Sequence, residues 1–247
     1  MSRRNITIIS LVIVGLIAVV IYLAKNSNPN GESVSLEISP QTSCQVSGQS
    51  KLDLDSAVKI NIIFPLLQNC TDATAQDNAN KLINATVESL VSLAKETYKP
   101  SGNFNVSYTS EYLSDKLFSL MLKGNVLTAA GQTLSTFYPI NFDLVRSQNL
   151  KLSDLQANTD LIDQISSYTI TNLKLQLANQ GLDSTVEVVA NAKPENFQLF
   201  SIAPTGLKVS FLNNQLFSGN SAALEVFVPW AQIRGNLNSQ FKALVGI

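Results

Sequence analysis

Not one of the 247 residues is histidine. Ser-His-Asp and Cys-His nucleophiles, HExxH zinc sites and His-based deacetylase sites therefore fall away together. The commonest general base near neutral pH goes with them. Charge is scarce too: Asp, Glu, Lys and Arg make up 14% of the chain, and the net charge is −1. A nucleic-acid binder would carry a basic stripe, and none is present. Calcium loops of D-x-D-x-D-G type are missing, so no metal is expected. The composition points to no cofactor and to no enzyme. Asn, Ser, Gln and Thr fill the space that charge leaves, which gives an uncharged polar surface suited to neutral sugars or proteins.

What the chain does have is one long apolar run. Residues 6–24 carry no charge, and at about 1.5 Å per residue they match the roughly 30 Å hydrocarbon core of a bilayer. Arg3 and Arg4 precede the run, so the positive-inside bias predicts a cytoplasmic stub over 1–5, a single transmembrane anchor over 6–24 and the bulk of the chain outside the plasma membrane. A cleaved signal peptide would have a shorter apolar region and a small-x-small cleavage site. Val20-Ile21-Tyr22-Leu23-Ala24 offers no A-x-A pattern, and Cys44 stands too far downstream for lipoprotein acylation. Of the 17 basic residues, two belong to the stub, so against 18 acidic ones the remainder carries a net charge of −3.

The two cysteines, Cys44 and Cys70, suggest one disulfide outside the cytoplasm. It would close a loop of about 25 residues, worth roughly 3–4 kcal/mol in the chain-entropy model. A reactive Cys70 thiolate at a helix N-terminus is the functional alternative.

After a polar, turn-rich linker over 25–32, residues 33–247 are expected to form one extracytoplasmic α+β domain, or two fused halves near 33–102 and 103–247. Helices should pack on an antiparallel sheet. Strands are expected at 33–38 and 58–64, the latter ended by Pro65. Between 72 and 98 the period becomes helical, with Ala75, Ala79, Leu82, Ile83, Val87, Leu90, Val91 and Ala94 on one face. Thr71, Asp72 or Thr74 could cap its start. A strand meander follows at 104–113, 117–127 and 134–145. A turn over 146–149 and a second helix over about 160–179, stopped by Gly181, come next. Further strands are expected near 185–191, 197–202, 206–212 and 222–228, and a terminal helix from Trp230 to about Leu244.

Few groups suggest chemistry. Ser92 and Lys95 match the S-x-x-K of serine acyl-enzymes, but Ser114-Asp115-Lys116 is a poor echo of the second element those sites need, and a K-T-G-like third is missing. Asp53 and Asp55 lie two apart, and Glu32 could join Asp55 after folding. Nothing forces such a pair into the set separation that glycoside hydrolysis requires. Asp160 and Asp163 read as helix N-terminal charges. Trp230, Phe197, Phe200, Phe211, Phe217 and Phe227 read as core at strand period. Asn5, Asn69, Asn84 and Asn105 each begin a glycosylation sequon.

Several short motifs occur in an order that resembles one known family. Ile62-Ile63-Phe64-Pro65 ends a strand and leads to Asn80-Lys81-Leu82-Ile83 on a long helix. Tyr138-Pro139-Ile140-Asn141-Phe142-Asp143 closes the meander, ahead of Leu152-Ser153-Asp154-Leu155. Phe197 to Phe211 contains Gly206-Leu207, and Gly219 precedes Val226-Phe227-Val228-Pro229. Over about 58–240 the chain resembles the extracytoplasmic region shared by the lysozyme-sensing anti-sigma factor RsiV and the non-catalytic N-terminal part of the peptidoglycan deacetylase PdaC.

The resemblance implies an α+β domain that binds partners at the cell envelope. Two departures accompany it. Thr128-Ala129-Ala130-Gly131-Gln132 stands where relatives often carry a Gly-Gly-Ala-His-like turn, and five residues before the anchor are too few to hold a sigma factor. The expected role is an anchored domain that recognises a lysozyme-like envelope protein or a cell-wall glycan. The alternative is a structural or assembly protein of the envelope with no small-molecule ligand.

Overall fold

The computed structural model describes residues 44–54, 57–97, 102–128, 131, 133–178, 183–212 and 224–247. The expected stub, anchor, linker and 33–38 strand lie outside these residues, as do Glu32, Asp55, Gly181 and Phe217. Among the described residues no helix is long and apolar enough to cross a membrane.

A six-stranded sheet runs in the order β1 (Gln45–Asp53), β2 (Val58–Gln68), β3 (Gly102–Leu113), β4 (Leu117–Thr128), β5 (Thr133–Asp143), β6 (Gln148–Asn149). Helix α1 (Ala73–Thr97) connects β2 to β3. Its buried face, Ala75, Ala79, Ile83, Val87, Leu90, Val91 and Ala94, is the stripe that the helical period predicts except for Leu82, which is only partly buried against that core. Asp72 is its cap, with Oδ1 accepting from the Ala75 amide at 2.9 Å. Alternate strand residues, among them Ile60, Ile62, Phe104, Val106, Phe118, Leu120, Leu122 and Ile140, pack with this helix into one core.

The α+β reading stands, but the sheet is not antiparallel throughout. β2 and β3 run parallel over Val58–Ile62. A long helix between two neighbouring strands returns the chain to the end from which it left, so the second strand must run the same way. β1 is a further difference. QVSGQSKLD has weak apolar alternation, and no side chain in the strand is fully buried. It pairs with β2 from Gln45↔Gln68 to Asp53↔Ile60.

The second sheet orders β7 (Phe200–Ala203), β8 (Gly206–Phe211) and β9 (Leu224–Pro229), all antiparallel. Phe200, Ile202, Leu207, Val209, Phe211, Val226 and Val228 face a second core. Helix α2 (Asp160–Gln176) contributes Leu161, Ile165 and Leu173 to it. The expected strand at 185–191 is instead helix α3 (Asp183–Val189). Val186 in the helix and Ala190 just past its end, one helical turn apart, are buried, and burial of that pair overrides the β-branched local preference. The strand expected from 197 starts only at Phe200, because Pro194–Phe197 forms a 3-10 turn with proline in its first turn.

The terminal helix is broken into α4 (Trp230–Ile233), a 3-10 turn over Arg234–Asn236, and α5 (Ser239–Val245). Leu237 leaves the helix to bridge Gln156. Asn238 then caps α5, its Oδ1 accepting from the Phe241 amide at 2.7 Å.

Gly206 belongs to the Gly-Leu motif and needs to be glycine. A Cβ there would overlap the Val228 carbonyl and sit 2.7 Å from the Phe227 ring.

Candidate functional site

The motif Asn141-Phe142-Asp143 ends β5, and each residue has a separate task. Phe142 enters the first core. Asp143, fully buried, accepts from the Val145 and Arg146 amides at 2.8 and 2.9 Å and pairs with the Arg146 guanidinium. This closes the turn that brings β6 back beside β5. Asn141 crosses to the other sheet. Its Nδ2 donates to the Phe200 carbonyl at 2.9 Å, and its Oδ1 accepts from the Ile202 amide at 3.1 Å and from the Ser119 hydroxyl at 2.7 Å.

Beside this joint lies a cleft of about 410 Å³, the size range in which small-molecule sites fall. Leu150, Leu152, Phe200 and Pro139 give it an apolar floor, and Asn149, Ser153, Gln198 and Lys151 line its polar side. Leu152-Ser153-Asp154-Leu155 sets one wall. The Asp154 carboxylate accepts from the Lys151 amide at 2.7 Å, and Leu152 and Leu155 are core. The Pro194 turn sets the opposite wall. Among the described residues, Lys151 is the one charged residue lining the cleft, and no carboxylate lines it. Among the described residues its ammonium is in no ion pair.

The structure joins Cys44 to Cys70, so neither is a free thiol. Ser92 is exposed on α1, and the Lys95 ammonium pairs with the Asp53 carboxylate rather than with the serine. Asp115 accepts from the Cys44 amide at 3.3 Å. Asp160 and Asp163 occupy the first turn of α2 as a helix dipole favours. Among the described residues no group of three His, Cys, Asp or Glu side chains could hold a metal ion. Phe197, Phe200, Phe211 and Trp230 are buried in the second core, while Phe227 is partly exposed on the opposite face of β9. Asn84 and Asn105 are exposed, and Asn69 stands in a left-handed turn. Asn5 lies outside the described residues.

Sequence reasoning reached the motifs that wall the cleft but not the cleft. Lys151 and Gln198 are 47 positions apart in the chain, and no local pattern brings them together. The Leu-x-Asp-Leu motif beside Asn141 was the available signal.

No protein-family model matches the chain, and no curated protein does. Among solved structures, a DUF3298 family member from Bacteroides fragilis superposes with a TM-score of 0.60 at 14% identity, covering 82% of this chain and 96% of the other. A DUF3298 family protein from Pseudomonas aeruginosa gives 0.54 at 10% identity, covering 79% and 94%. Both superpositions take in nearly all of the other chain, so this chain has the fold seen in DUF3298 family proteins.

Proposed function

We propose that this chain is a single-pass, plasma-membrane-anchored extracytoplasmic binding domain, allied to the RsiV ectodomain and the non-catalytic part of PdaC. It recognises an envelope component, either a lysozyme-like protein or a cell-wall glycan, and performs no chemistry on it. The observation that carries this reading is the cleft beside Asn141. Among the described residues it combines an apolar floor with amide and hydroxyl groups, a single ammonium and no lining carboxylate. Such a lining can hold and orient a ligand. It offers no paired acid and base with which to transform one. The uncharged run at 6–24 and the family order of the motifs support the envelope setting.

The test is calorimetry of the full chain in detergent micelles, titrated with a lysozyme and with soluble peptidoglycan fragments. Saturable binding of either is expected, weakened by Lys151→Ala and Gln198→Ala with the fold intact. Silence on both probes rejects the reading and favours the assembly role, which crosslinking in intact membranes would then examine.

A further inference from the structure

The cleft beside Asn141 is unbalanced in its hydrogen-bonding groups. Its acceptors are committed to the fold. The Asn141 carbonyl accepts from the Leu150 amide at 2.6 Å, and Asn149 Oδ1 from the Asn141 amide at 3.3 Å. The Lys151 and Leu152 carbonyls accept from the Asp154 and Leu155 amides at 2.9 and 3.1 Å. The Phe200 carbonyl accepts from Asn141 Nδ2 at 2.9 Å. Two donors are uncommitted. Both Asn149 and Lys151 line the cleft, and among the described residues neither Asn149 Nδ2 nor the Lys151 ammonium has a protein partner.

The acids nearby do not redress the balance. Asp154, three positions from Lys151, turns Oδ2 onto the Lys151 amide at 2.7 Å rather than onto the ammonium. Lys193 and Glu195 flank Pro194 on the opposite wall and offset one another in charge.

We infer that the cleft takes a carboxylate carried on an apolar body: the free end of a peptide chain whose last residue is apolar, or a small organic acid of the same shape. A carboxylate is acceptor-only, so it complements the ammonium and the carboxamide N–H together. Hydrogen bonds to a charged group are also the stronger kind. One ammonium matches one negative charge. A dianion such as phosphate would set a second, unmatched charge beside Leu150, Leu152 and Phe200, which are buried. Those three side chains with Pro139 give hydrocarbon a floor to cover. An amine would need an acid in the lining. Sugar hydroxyls need acceptors as well as donors, and here the acceptors are committed, Gln198 and Ser153 apart.

This inference rests on the binding role proposed above and names what the cleft takes from its partner. The full chain in detergent micelles is titrated with a short N-acetylated neutral peptide ending in leucine with a free carboxylate. Its C-terminal amide and the same peptide ending in serine are the controls. Saturable binding of the free acid is expected, with each control about tenfold weaker. Lys151→Met should abolish the preference for acid over amide, and Lys151→Arg should keep it. Lys151 is exposed, so neither change disturbs the core. Isocaproate, a leucine-like acid without a peptide, separates the two sources. Equal affinity for it assigns the cleft to a small acid, and much weaker affinity assigns it to a chain end.

Equal binding of acid and amide overturns the inference. So does a preference for the acid that survives Lys151→Met. A wild type that binds a lysozyme or peptidoglycan fragments, but none of these acids, ends this inference and leaves the broader role standing. A wild type silent to every probe ends both.

Discussion

Asn141 serves Ile202 as a missing strand would: its Oδ1 accepts the Ile202 amide at 3.1 Å while its Nδ2 donates to the Phe200 carbonyl at 2.9 Å. β8 covers one edge of β7, and the side chain of a residue on the other sheet supplies the opposite edge. The Ser119 hydroxyl, fully buried, joins the same amide at 2.9 Å. A buried network of this kind is stable when complete and costly when broken.

Asn141→Ala leaves the Ile202 amide with the Ser119 hydroxyl alone and the Phe200 carbonyl buried without its donor. A loss of about 2–3 kcal/mol in urea unfolding is expected. Asn141→Asp keeps the acceptor but sets a carboxylate against that carbonyl, and should cost more. A loss below about 0.5 kcal/mol for the alanine variant, the size of an ordinary surface change, would show that the two sheets do not depend on this joint.

Asn80 plays the corresponding part in the first core. β3 pairs with β2 only as far as Ile62, and beyond that point Asn80 takes over, with Nδ2 on the Leu67 carbonyl at 2.9 Å and Oδ1 on its amide at 2.8 Å. Asn80→Ala should lower stability by about 1–2 kcal/mol. Hydrogen exchange at the Leu67 amide should accelerate with it. Unchanged protection at that amide would refute the assignment.

Removing the disulfide by Cys44→Ser with Cys70→Ser should cost about 3 kcal/mol in the chain-entropy model. The effect should be concentrated in β1, whose own side chains add little to the core. Exchange in β1 is expected to rise well before exchange in β3 and β4. Uniform acceleration across the whole sheet would contradict this.

Where the folded contacts are local in sequence, they were legible. The stripe from Ala75 to Ala94 returned as the buried face of α1, and the meander strands returned with their boundaries shifted by a few residues at most. The cysteine pair was legible because only two cysteines exist. What escaped depends on tertiary partners. β1 is polar and is a strand only because β2 accepts it. The Asp183–Val189 segment is rich in strand formers, and it is helical because Val186 and Ala190 are buried one turn apart. The cleft escaped for the same reason, since its polar groups come from β6, the turn after it and the segment following Pro194. Asn141 was visible as part of a motif, but its partner lies 61 positions away, and only the folded chain reveals it.

The bond between Cys44 and Cys70 also sets how the domain would carry mechanical load. Tension arriving at Cys44 from the preceding chain passes straight across the sulfur bridge to the β2–α1 turn. The intervening residues, β1 and β2 with them, form a covalently closed loop that bears none of it. In the oxidised protein a pull from the N-terminal side therefore cannot unzip β1 from β2; after reduction, β1 becomes the first structure in line to peel.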